Sequence, residues 1–158
     1  MGPWIPLGGR HRAFLLVVCL FLTGAVFVSA QSTAVEIETL LASPAVTYGQ
    51  ASRFVLQAAD VATFSDPAEA FRFAADRNWL PRNADSEGQA RLDGIALLLM
   101  QSFGLRGGIM FTLTGSPHFA YREMEYMGFI RGRISPGQRV SGDTLMYLTG
   151  RVLAHVGE

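Results

Sequence analysis

A helix start that occurs twice, 50 residues apart, constrains this chain more than any other feature of its sequence. Asp66-Pro67 and Ser116-Pro117 each place a side-chain acceptor before a proline. Proline suits the first helical position because the N–H it lacks would have no partner there. Each start is followed by helically spaced apolar residues, an apolar dipeptide, a loop and a second apolar stripe. The sequence therefore predicts two helical hairpins.

The second hairpin, Ser116 to Leu153, has the clearer pattern. Gly128 is predicted to end its first helix, since glycine takes a positive φ without a steric penalty. Ser141 is predicted to cap its second helix. The apolar stripes of the two helices are Ala120, Met124 and Met127 in the first, and Leu145, Leu148 and Val152 in the second.

The first hairpin begins at Asp66 and is predicted to stay helical to about Asn78, with Trp79-Leu80 just before Pro81. Asp93 is predicted to cap its second helix. That helix would run from Gly94 to about Phe103, and it is apolar on most faces, so it should be the central buried one.

Three further segments complete the prediction. Ala34–Ser43 reads as a short amphipathic helix closed by Pro44, and Thr47 with Gln50 has the spacing of a capping box at another helix start. Ile109–Leu113 is rich in β-formers and is predicted to be extended. The predicted fold class is all-α, a small bundle of repeated helical hairpins.

The two hairpins also align residue by residue, which favours a true repeat over two unrelated hairpins. The matched pairs are Ala70-Phe71-Arg72 with Ala120-Tyr121-Arg122, Trp79-Leu80 with Phe129-Ile130, Gly88-Gln89 with Gly137-Gln138 and, after one gap, Arg91–Gly94 with Arg139–Gly142. Caps and apolar stripes alone would occur in any helical-hairpin protein, so the Gly-Gln and Ala-aromatic-Arg matches carry this inference.

The order of helix, Gly-Phe-Ile-x-Gly turn at Gly128–Gly132, proline-containing loop and capped helix resembles S-layer homology modules of exported bacterial proteins. Phe64-Ser65-Asp66 resembles the opening of such a module. The resemblance covers Val46 to Leu153 and implies a repeat domain over residues 46–156. In the family, a Thr-Arg-Ala-Glu helix start contributes to holding cell-wall polysaccharide. The corresponding tetrapeptides here are Thr47–Gln50, Asp93–Ala96 and Ser141–Thr144.

Residues 1–30 read as a signal peptide. Arg10 and Arg12 give a basic start, an apolar run follows, and Val28-Ser29-Ala30 has the small-residue spacing of a cleavage site. The alternative is a membrane anchor, but the apolar run is short for a full span. We therefore predict an exported protein, in the periplasm or on the cell surface, with an N-terminal segment at 31–45 and no membrane span after cleavage.

Composition excludes several functions for the predicted mature chain. Without Arg10 and Arg12 it keeps 11 Arg against 13 acidic residues, which argues against binding nucleic acid. The one cysteine, Cys19, lies in the predicted leader, so disulfides and thiol catalysis are excluded after cleavage. His118 with Glu123 and Glu125 lacks the spacing of a helical metal site, so neither a metal nor another cofactor is predicted.

The candidate ligand or partner surface is an arginine-rich loop with neighbouring aromatic residues. Guanidinium groups form paired hydrogen bonds with carboxylates and phosphates, and aromatic rings stack on sugars. The alternative is an ordinary solvated loop. The predicted binding residues are Arg131, Arg133, Arg139, Tyr121, Trp79 and Arg82.

The sequence has no recognisable catalytic motif, so we predict a non-catalytic bacterial envelope module that binds a cell-wall polymer or an envelope protein. Two alternatives remain open. One is a structural or assembly protein that binds only protein partners, which an exposed Met/Phe/Leu patch would favour. The other is an enzyme whose active site the sequence does not reveal.

Overall fold

A computed structural model describes residue 35, residues 37–132 and residues 134–157. Across these residues the fold is all-α, as predicted, and no strand is present. The chain divides between Thr39 and Leu40, and the second unit, Leu40–Glu158, is the part considered below. Its helices are α1 (Tyr48–Ala58), α2 (Pro67–Asp76), α3 (Leu92–Ser102), α4 (Ile109–Thr114), α5 (Pro117–Tyr126) and α6 (Gly142–Val156).

Three helices, α1, α3 and α6, contact one another and form the centre of this unit. α2 packs on α1, and α5 packs on α3. Nine of the 11 residues of α3 are buried, which confirms the prediction that this helix is the central one. Its leucine run therefore fills the space between the other helices, and burial of this apolar surface is the main stabilising contribution.

A closed ring of main-chain hydrogen bonds joins the segments that precede the three central helices. The Val46 N–H donates to the Val140 carbonyl at 2.9 Å, and the Val140 N–H donates to the Ala90 carbonyl at 3.0 Å. The Ala90 N–H completes the ring by donating to the Val46 carbonyl at 2.8 Å. All three residues are buried, so each bond pairs groups that water cannot reach. We call this set the backbone ring.

Two main-chain hydrogen bonds of the first predicted hairpin have counterparts 50 residues later in the second. The matched bonds are Trp79 to Ala74 with Phe129 to Met124, and Gly88 to Asp85 with Gln138 to Ser135. Asn78 and Gly128, also 50 apart, both have positive φ angles, 58° and 76°. This spacing needs no gap, and it pairs Arg91 with Ser141, whereas the sequence alignment paired Arg91 with Arg139.

The predicted caps are confirmed at three of five helix starts. Thr47 and Gln50 form the reciprocal capping box, and the Asp66 carboxylate and the Ser141 hydroxyl each accept a main-chain N–H of their helix. Ser116 occupies the N-cap of α5 but makes no side-chain cap bond. The prediction for Asp93 is wrong, because α3 begins at Leu92 and its N-cap is Arg91.

The segment predicted to be extended, Ile109–Leu113, is instead the helix α4. Gly108 precedes it and Gly115, with a φ of 56°, ends it. Only Phe111 of this helix is buried. Residues 37–41 are helical, in agreement with the predicted N-terminal helix, and the predicted signal peptide lies outside the described residues.

Candidate binding cleft

A cleft of about 270 Å³ opens beside the start of α3. The polar loop that follows α2 forms one side of it, and the first residues of α1 and α5 contribute to the other sides. Its lining residues are Tyr48, Pro81, Asn83, Ala84, Asp85, Gly88, Gln89, Arg91, Asp93 and Pro117. The volume suits a small segment of a ligand, which the polar side chains among these residues could hold by hydrogen bonds.

An ion pair between Arg91 and Asp93 lies in the cleft. One Arg91 terminal nitrogen is 3.1 Å from the Asp93 Oδ2 atom, and the Gly94 N–H donates to the Asp93 Oδ1 atom at 2.9 Å. The Arg91 side chain is 52% exposed, whereas that of Asp93 is 17% exposed. A guanidinium group has five N–H donors, more than this one contact uses. The cleft therefore offers a cation held in place by a less exposed carboxylate.

Tyr48 forms the inner wall of the cleft. Its hydroxyl accepts the Arg91 main-chain N–H at 3.3 Å, which ties the first residue of α1 to the N-cap of α3. Burial raises the pKa of the Tyr48 hydroxyl, and the charge of Asp93 also acts in that direction, while the Arg91 N–H bond and charge oppose the shift. The hydroxyl therefore stays protonated near neutral pH and keeps its O–H proton as a donor.

Two of the predicted arginines lie beside this cleft. Arg139 pairs with Arg91 through an antiparallel main-chain bridge, so the structure brings an arginine of each hairpin together. Arg82 is exposed and lies between Pro81 and Asn83, both of which line the cleft. Arg139 and Arg82 are both exposed, and positive side chains near a cleft favour anionic ligands.

The other predicted binding residues either do not line the cleft or lie outside the described residues. Arg131 is exposed, but it does not line the cleft, and Arg133 lies outside the described residues. Tyr121 was predicted as a binding residue. It is buried, and its hydroxyl donates to the Ile134 carbonyl at 2.5 Å. The ring is needed to hold the loop against α5, so Tyr121 is unsuited to contact a ligand.

Trp79 also lies away from the lining of the cleft. Its half-buried ring meets the Phe73 ring edge-on at 6.3 Å, and the Arg77 guanidinium stacks on Phe73 at 3.5 Å from the ring centre. Because Arg77 covers this aromatic face, these contacts do not bring Trp79 together with the other predicted binding residues.

The sequence analysis missed five polar cleft residues, Tyr48, Asn83, Asp85, Gln89 and Asp93. A signal was present in the polar loop that follows Pro81, because the residues from Arg82 to Gln89 include no apolar side chain larger than that of alanine. That Tyr48 reaches this loop follows only from the main-chain bonds of Tyr48 and Gly49 to the carbonyls of Gly88 and Ser86.

Two other arrangements concern the alternative functions. Ile109, Met110 and Leu113 of α4 are strongly exposed apolar residues. Within the described residues, His, Cys, Asp and Glu form no group of three that could hold a metal ion, and His118 packs edge-on against Phe119. No helix in the described part of the chain is long and apolar enough to cross a membrane.

Comparisons with family models, curated proteins and solved structures found no match to this chain.

Proposed function

We propose that this chain is a non-catalytic, exported module of the bacterial envelope, and that its cleft binds a cell-wall polymer or an envelope protein. The observation that carries the proposal is the cleft at the start of α3. There an arginine–aspartate pair, a protonated tyrosine hydroxyl and two side-chain amides converge. These groups combine hydrogen-bond donors and acceptors at short range, as polar ligand sites do.

The chemistry of these groups indicates which part of a polymer would bind. Arg91 and its neighbour Arg139 suit a carboxylate or phosphate, because guanidinium groups bind such anions through two parallel hydrogen bonds. Asp93, Asn83 and Gln89 can bind hydroxyl or amide groups next to that anion. A polymer that alternates acidic groups with hydroxyls, such as an acidic cell-wall glycan, matches both requirements.

The resemblance to S-layer homology modules supports the same proposal. The main-chain bonds that recur after 50 residues are compatible with stacked repeat units of the size found in that family. In the family a Thr-Arg-Ala-Glu helix start contributes to holding polysaccharide. The corresponding tetrapeptide at α3, Asp93–Ala96, contains no arginine, but Arg91 lies two residues before it, at the N-cap of α3.

Charge reversal on the cleft rim tests the proposal. We expect Arg91→Glu with Arg139→Glu to reduce retention of the protein on isolated envelope fractions at least about tenfold, since both cations become carboxylates that repel an anion. The matched control is Arg72→Glu with Arg151→Glu, which changes the same total charge at exposed or half-buried positions that do not line the cleft. Circular dichroism of each variant checks that the helices remain folded.

A third variant, Arg131→Glu with Arg133→Glu, tests the predicted arginine-rich loop separately from the cleft. Loss of retention only in this variant would move the ligand surface to the loop between α5 and α6. If all three variants are retained as well as the parent chain, binding through these arginines is contradicted. Protease treatment of the envelope fraction before the assay distinguishes the two ligand classes, because a polymer survives it and a protein partner does not.

A further inference from the structure

The short helix α4 carries an apolar surface that the bundle does not use. Ile109 is 85% exposed, Leu113 is 79% exposed and Met110 is 57% exposed. Phe111 alone anchors the helix to the bundle, where α4 packs on α5. None of these residues lines the cleft. Three large apolar side chains on one six-residue protrusion need an explanation other than core packing.

The side-chain hydroxyls of α4 are already paired with its own main chain. The Thr112 hydroxyl donates to the Gly108 carbonyl at 3.1 Å, and the Thr114 hydroxyl donates to the Met110 carbonyl at 2.7 Å. Insertion of the apolar side chains into lipid would therefore leave these hydroxyl donors paired, while the first N–H groups of the helix, which have no acceptor within it, would stay at the polar headgroups.

Charge around α4 favours an anionic surface. From Gly94 to Tyr121 the sequence has no Asp or Glu, and Arg106 is the one Arg in that stretch, three residues before α4. The nearest carboxylate is that of Glu123, which lies beside Gly108 at the N-terminal end of the helix and is half-buried. Acidic side chains would be repelled by anionic headgroups, and Arg106 is placed to bind a phosphate.

From these observations we infer that α4 is a membrane-surface anchor, inserting Ile109, Met110 and Leu113 among the acyl chains of an anionic bilayer while Arg106 contacts a lipid phosphate. Interfacial helices bind in this way, with the apolar face in the lipid and a basic residue at the headgroups. A folded protein partner fits less well, because the hydroxyls of α4 donate to its own backbone and have no donor left for a partner. The anchor is independent of the proposed cleft ligand.

Partition of the whole chain between buffer and vesicles tests this inference. We expect binding to vesicles of phosphatidylcholine mixed with phosphatidylglycerol, and at least about tenfold weaker binding after Ile109→Ser with Leu113→Ser, because two buried apolar side chains are lost. Arg106→Gln should remove most of the preference for phosphatidylglycerol. Leu153→Ser with Val156→Ser is the matched control, since these α6 residues are exposed apolar side chains elsewhere in the unit.

A site-specific measurement excludes binding through residues 1–34, which all variants share. The fluorescence of Leu113→Trp should be quenched by lipids with brominated acyl chains, after subtraction of the signal of the parent chain with its two tryptophans. Tyr147→Trp, at an exposed position of α6, should not be quenched. Equal quenching of both variants, or unchanged partition of Ile109→Ser with Leu113→Ser, would overturn the inference. So would a dimer in light scattering that this double variant dissociates, because the patch would then be a protein interface.

Discussion

Glycine residues at the start of the central helices show how closely these elements approach one another. A Cβ atom on Gly94 would lie 2.5 Å from the Tyr48 hydroxyl oxygen and 3.0 Å from a Pro81 ring carbon. No side chain fits at those distances, so glycine at this position is required by packing and not by backbone conformation. The same close approach forms the inner wall of the cleft.

We therefore expect Gly94→Ala to lower the free energy of unfolding by about 1–3 kcal/mol, because the methyl group displaces Tyr48. Gly150 offers the matched control, since it is exposed within α6 and a Cβ there would meet nothing within 4 Å. Gly150→Ala should stabilise the protein by about 0.5–1 kcal/mol through helix propensity. Denaturant titration measures both values, and a neutral Gly94→Ala would show that Tyr48 is free to move.

The raised pKa of Tyr48 makes stability depend on pH in the alkaline range. Burial raises this pKa above its ordinary value of 10.0, so the folded state keeps the proton that the unfolded state releases. The unfolding free energy should be unaffected by this group below pH 10 and should fall as the pH rises from 10 through the folded pKa.

Tyr48→Phe should reduce the loss of unfolding free energy at alkaline pH. Denaturant titrations between about pH 8.5 and 11, a range that includes the ordinary tyrosine pKa of about 10, measure this loss. Part of the loss should remain, because burial also raises the pKa of Tyr121. Tyr126→Phe, at a position 90% exposed, controls for the loss of a tyrosine. An identical pH profile for parent and Tyr48→Phe would contradict the assignment.

At the scale of the element, side-chain caps explain where three of the six helices begin, namely α1, α2 and α6. Thr47→Ala and Ser141→Ala should each lower the unfolding free energy by about 1 kcal/mol, since each removes an acceptor from a helix N–H group. Ser116→Ala should be nearly neutral, because Ser116 makes no such bond in α5. Denaturant titration of the three variants provides the test. A cost at Ser116 equal to that at Ser141 would show that these effects do not come from capping.

Local signals also account for how much of the fold the sequence could predict. Caps, prolines and glycines act within one turn, so the starts of α1, α2 and α6 were predicted correctly. Asp93 was assigned the wrong role because the first two N–H groups of α3, those of Leu92 and Asp93, donate to the carbonyls of Gln138 and Pro136, which no local pattern reveals. For α4, the β-forming residues suggested a strand, but no neighbouring strand exists among the described residues to pair with them.

The candidate site was less predictable than the fold, for the same physical reason. Tyr121 looked available beside an arginine-rich loop, yet its hydroxyl is used by Ile134, 13 residues later in the chain. Arg91 and Arg139 could be grouped by residue type, but only the main-chain bridge between them places both beside the Tyr48 wall. Proximity across hairpins depends on the whole bundle, whereas sequence patterns describe one element at a time.

At the scale of the whole molecule, the backbone ring makes the central helices depend on one another. The amides of Val46, Ala90 and Val140 should exchange with solvent only on global unfolding, because opening one bond disturbs buried residues of all three segments. The amides of Thr112 and Gly115 in the exposed helix α4 should exchange faster through local opening. Hydrogen exchange followed by NMR measures these rates. Protection that differs by orders of magnitude among the three ring amides would contradict this coupling.

The backbone ring also determines how early during synthesis the fold can be completed. Val46 lies near the beginning of the folded unit, and its partner Val140 comes close to the end of that unit, so the ring closes only after the chain has been made as far as Val140. Contacts between distant segments form late and slowly, because the intervening chain must first be ordered. During synthesis the growing polypeptide therefore keeps Val46 without its final partner and stays open until α6 has emerged. A transport machinery that handles only unfolded chains would have that interval in which to act.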